Sequence, residues 1–62
     1  MKTYRVFGGD GVTEIGFFSQ SDLRGAIEKM AGGRGWGWRP AAGDHGMEAV
    51  CDYSVIAVVF DV

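Results

Sequence analysis

One cysteine, one histidine and one proline occur in the 62 residues of this chain, and each scarcity removes a class of explanation. A single thiol, Cys51, cannot close an internal disulfide, so the fold must hold without that support, and a lone thiol fits a reducing compartment. His45 has Asp44, Glu48, Cys51 and Asp52 near it in sequence, but the spacing matches no zinc or calcium loop. It also offers no third group to orient the histidine as a base for Cys51, whose strand-like surroundings suit a buried small hydrophobe. No metal, cofactor or catalytic residue is expected. No apolar run approaches the roughly 20 residues of a spanning helix, and Met1-Lys2-Thr3-Tyr4-Arg5 leads into β-forming sequence rather than a signal-peptide core. The expected location is cytoplasmic, away from membranes.

Positive charge is missing from the C-terminal third. Lys2, Arg5, Arg24, Lys29, Arg34 and Arg39 all lie within residues 1–39, against Asp10, Glu14, Asp22 and Glu28, whereas residues 40–62 carry Asp44, Glu48, Asp52 and Asp61 and no base. The chain as a whole has a net charge of −2, which argues against duplex nucleic acid, where clustered Lys and Arg supply most of the affinity. A bipolar surface favours an oriented protein partner or self-association. The C-terminal acids have two readings: a solvated rim that keeps a sheet soluble, or a face for a basic groove.

Glycine, by contrast, is plentiful, at 11 residues. Aromatic and β-branched residues surround the glycines, so they read as turn punctuation. Residues 2–7 and 12–18 are rich in β-formers, and Gly8-Gly9-Asp10-Gly11 between them predicts a β-hairpin. Ser19 three residues before Asp22 suggests a capping box, with Ser21 as the other candidate N-cap. Leu23, Ala26, Ile27 and Met30 then form one apolar stripe of a helix that Gly32-Gly33 ends. The glycines of Gly32-Gly33-Arg34-Gly35 follow this helix, at its negative end, and so do not make a phosphate loop.

Residues 34–39 predict a third strand that Pro40 ends or places at an edge. The run from Met47 to Phe60 predicts a fourth, apolar on both faces, with Ile56, Val58 and Phe60 on one and Val55, Ala57 and Val59 on the other; such a strand is central. The expected fold is α+β, a single domain over residues 1–62: a four-stranded antiparallel sheet with one helix, in the order ββαββ. One short helix cannot cover both faces, so either the sheet curls around it or a second copy covers the far face, and a homodimer is expected.

The strongest functional signal is Arg34-Gly35-Trp36-Gly37-Trp38-Arg39, which holds both tryptophans. In an extended backbone Arg34, Trp36 and Trp38 share one face, with Arg39 on the other. Aromatic side chains beside arginine suit a protein interface; they also suit stacking on single-stranded nucleic acid or a planar ligand, and equally well one tryptophan packs over the hairpin while the other fills a sheet edge. The candidate partner-binding residues are Trp36, Trp38, Arg34, Arg39, Asp44, Glu48 and Asp52.

In its size, single-domain build, mild acidity and lack of catalytic residues, the chain resembles the small phage-encoded inhibitors of the anti-CRISPR type. The resemblance covers general build; those proteins share neither fold nor motif, so no functional residue carries over. It implies a stoichiometric inhibitor, acting in the host cytoplasm, that binds a CRISPR effector complex and blocks nucleic-acid access or nuclease recruitment.

Overall fold

The computed structural model describes residues 2–41 and 46–62; Asp44 and His45 lie outside the described residues. The elements are β1 (Thr3–Gly8), β2 (Glu14–Ser19), α1 (Gln20–Ala31), β3 (Gly37–Pro40), β4 (Gly46–Cys51) and β5 (Ser54–Asp61). The five strands form one antiparallel sheet in the order β2-β1-β5-β4-β3, so β5 is central, as its two apolar faces require. The expected four strands are corrected to five, and the order to ββαβββ. The run from Met47 is a hairpin folded at Asp52-Tyr53, both with positive φ, 52° and 65°. Such a two-residue turn is of type I′, ordinarily built on Asn-Gly or Asp-Gly.

The hairpin of β1 and β2 forms where glycine and aspartate predict it. Gly11 takes φ 73°, and the Asp10 carboxylate accepts from the Val12 and Thr13 amides at 2.9 and 3.0 Å and from the Thr13 hydroxyl at 2.8 Å. These donors hold its pKa below the ordinary 3.8. A group depressed on folding contributes stability that is complete above its unfolded pKa and is lost as the pH falls through the folded value. The loop should therefore loosen in acid below about pH 4, and amide exchange at Val12 and Thr13 should report it. Asp10→Asn should flatten that dependence.

Ser19 is the N-cap of α1, but its hydroxyl donates to the Asp22 carboxylate at 3.0 Å and accepts no backbone N–H, so the expected capping box is replaced by a side-chain pair. At the other end Gly32 adopts φ 66° and its N–H reaches the Lys29 carbonyl, the expected glycine C-cap. The stripe is as predicted in direction, with Leu23 and Ile27 buried and Ala26 and Met30 half-buried; Ala31 completes it.

The helix lies over β2, β1 and β5. Its core is Val6, Leu23, Ile27, Ala49, Ala57 and Val59, with Ala49 directly opposite Ala57. Between Ala49 and Val50 the register shifts, leaving Ile56 as the extra residue of a bulge in β5. Ile56 packs against this core and so leaves the Val58 and Phe60 face to which simple alternation assigns it.

Among the described residues no helix covers the opposite face. There Arg5 sits 4.9 Å from the centre of the Phe7 ring and 5.9 Å from that of Phe17, and bonds Glu14 at 2.6 Å. Phe7 meets Phe60 edge to face at 5.7 Å. Phe60 lies over its register partner Gly46, where a Cβ would come within 2.9 Å of the ring. Leaning side chains thus shelter part of this face, and Phe17 at its β2 margin stays 59% exposed.

Candidate functional site

The helix stops short of β4 and β3, and the sequence fills the space beside it with tryptophan. Trp36, just before β3, packs against the core cluster. Trp38 lies opposite the buried Ala49, on the same face as the helix, and meets Trp36 edge to face with ring centres 5.1 Å apart and planes at 83°. It remains 42% exposed. One indole therefore serves the core and the other forms the rim of the sheet.

The remaining predicted residues gather around this pair. The Arg34 guanidinium bonds Asp52 at 2.8 Å and the Ala31 carbonyl at 2.9 Å, which ties the end of α1 to the β4–β5 turn. Arg39 donates twice to one oxygen of its register partner Glu48, at 3.0 and 2.8 Å. Six of the seven candidate residues, Trp36, Trp38, Arg34, Arg39, Glu48 and Asp52, thus lie at the β3 side of the molecule, with Trp38 on the helix face of the sheet and the Arg39–Glu48 pair on the other. Asp44 lies outside the described residues.

This convergence changes the electrostatics. Charge that is segregated along the chain is joined in space: Arg34 to Asp52, Arg39 to Glu48 and Lys2 to Asp61. Half-exposed pairs of this kind contribute about 0–1 kcal/mol each. Their larger effect is to cancel the field that separate basic and acidic faces would project.

Sequence reasoning missed Tyr53. It stands at the second position of the β4–β5 turn, fully exposed, with φ 65°. With Gly35, Gly37, Val50 and Asp52 it lines a shallow depression at this corner, walled by Trp36, Trp38 and Arg39. The only signal for it was the Asp-Tyr-Ser interruption in an otherwise apolar run. Cys51, next to this turn, is buried and free, the small hydrophobe that its strand position predicts. Among the described residues no three His, Cys, Asp or Glu side chains converge as metal ligands. No helix of the described residues is long and apolar enough to cross a membrane. Comparison with protein families, with curated proteins and with solved structures gives no match.

Proposed function

We propose that the chain is a non-catalytic protein-binding module that acts by stoichiometric occupancy of its partner, through the corner formed by Tyr53 with Trp36 and Trp38. Tyr53 carries the reading. A non-glycine residue in the left-handed region costs about 1–2 kcal/mol, and a fully exposed ring recovers none of that by packing. A strained, exposed aromatic residue beside a half-exposed tryptophan is the composition of a binding hot spot. The partner class that fits the small, mildly acidic build is a nucleic-acid-handling complex such as a CRISPR effector. Binding would block nucleic-acid access or nuclease recruitment.

The alternative, stacking of single-stranded nucleic acid or a planar ligand on the two indoles, is less well supported. The edge-to-face arrangement offers no continuous platform, and both flanking arginines are already bonded to carboxylates.

Stability and binding should move in opposite directions at one residue. Tyr53→Gly is expected to stabilise the fold by about 0.5–1 kcal/mol, while weakening inhibition of a purified effector nuclease by about tenfold or more. Thermal melts and a titration of target cleavage measure the two. Unchanged inhibition by Tyr53→Gly would refute the corner as the binding surface. Quenching of tryptophan fluorescence by an oligonucleotide, without nuclease inhibition, would replace this reading with the stacking one.

A further inference from the structure

The outer edge of β3 has a geometry that fits a second copy of itself. The Ala41 amide bonds the Gly46 carbonyl at 3.0 Å, in register with Arg39 opposite Glu48 and Gly37 opposite Val50. Hydrogen-bonded and non-bonded pairs alternate along an antiparallel ladder. The N–H and C=O of Arg39 and Gly37 therefore face β4, and those of Trp38 face the open edge. Pro40 presents only a carbonyl there. Trp38 is thus the one residue within β3 that offers both a donor and an acceptor outward.

We infer that two copies pair antiparallel through β3 about a twofold axis at Trp38, making one continuous ten-stranded sheet. Each Trp38 then exchanges both backbone hydrogen bonds with Trp38 of the other copy. This register places Arg39 of each chain opposite Gly37 of the other. Gly37 has open space where its Cβ would be and no positive φ, so the facing arginine stem meets no side chain. An axis at Arg39 would set like charges face to face. One at Pro40 lacks a donor, and one at Gly37 needs Trp36, which precedes the strand. Because the axis is normal to the sheet, both helices fall on the same side. Trp38 and Met47, 42% and 40% exposed in the single chain, then lie between them. The second copy contributes its own Trp38 to the aromatic corner, while Tyr53, on the β4–β5 turn, is no part of the paired edge.

Site-directed crosslinking reads the register directly. Facing residues of a non-hydrogen-bonded pair lie about 4.5 Å apart at Cα, within disulfide range. In a Cys51→Ala background, Gly37→Cys chains mixed with Arg39→Cys chains and oxidised should give a covalent dimer, and neither chain alone should do so. Light scattering of the parent at tens of micromolar should report about twice the chain mass. Gly37→Arg, whose Cβ has open space in the single chain, sets two arginines opposite each other on both sides of the axis and should return it to the mass of one chain with an unchanged circular dichroism spectrum. Tyr53→Gly should leave the dimer intact, which separates this inference from the binding reading. Failure of the mixture to crosslink, crosslinking by Gly37→Cys chains alone, or a single-chain mass for the parent throughout would each overturn it.

Discussion

Ile27→Ala is expected to lower the unfolding free energy by about 2–5 kcal/mol, the range found when a large buried aliphatic side chain is truncated. Ile27 and Val6 are the largest side chains fully shielded from solvent. They belong to a core otherwise made of leucine, valine and two alanines, against which Tyr4, Phe18, Met30, Trp36 and Ile56 pack. At roughly 0.05–0.15 kcal/mol per residue, a chain of 62 residues has only about 3–9 kcal/mol in total. The variant should therefore lose a large share of its stability and unfold at a markedly lower urea concentration than the parent. Arg24, three positions earlier on the same helix, makes an exposed pair with Glu28 at 3.6 Å, and Arg24→Ala should cost about 0.5 kcal/mol or less. Urea melts compare the two directly. Equal costs would mean that the helix presents a different face to the sheet.

That contrast was legible in the sequence because it depends on local periodicity. The apolar stripe of α1, its glycine cap and the glycine-rich hairpin loop each state their structure within a few residues. The β4–β5 turn does not, since Tyr53 occupies the place where glycine would have announced a break, and two strands read as one. The bulge at Ile56 was hidden for a related reason: alternation assigns it to the Phe60 face, and only the pairing with β4 moves it to the core. Charge placement misled in the other direction. The bases of residues 1–39 and the acids of residues 40–62 look like two poles on the chain, yet Lys2 meets Asp61 across 59 positions and Arg34 meets Asp52 across 18. Strand order decides those meetings, and no short-range pattern encodes it. The tryptophan pair stood out by composition alone. The division of labour within it, Trp36 toward the core and Trp38 at the rim, follows from where α1 ends its coverage of the sheet.

Gly9→Ala should be among the most damaging single substitutions in the chain, although Gly9 is exposed and its φ is ordinary. A Cβ at this position would overlap the backbone carbonyl of Val55. Backbone cannot swing aside as a flexible side chain can, so either the β1–β2 loop or the start of β5 must move. A cost of about 3 kcal/mol is expected, at the upper end for overpacking. Gly11, two residues on, has the opposite character: φ is 73° and nothing lies within 4 Å of the place a methyl would take. Gly11→Ala should cost only about 1 kcal/mol, through backbone strain alone. The difference also reaches the candidate site. Val55 adjoins the bulge at Ile56 and lies two residues from Tyr53, so a displaced β5 start carries the β4–β5 turn with it. Gly9→Ala should therefore weaken partner binding in whatever fraction stays folded, whereas Gly11→Ala should leave it unchanged. Urea melts and the nuclease titration on both variants measure the two effects. Similar melts for the pair would mean that the loop does not abut β5 at Val55.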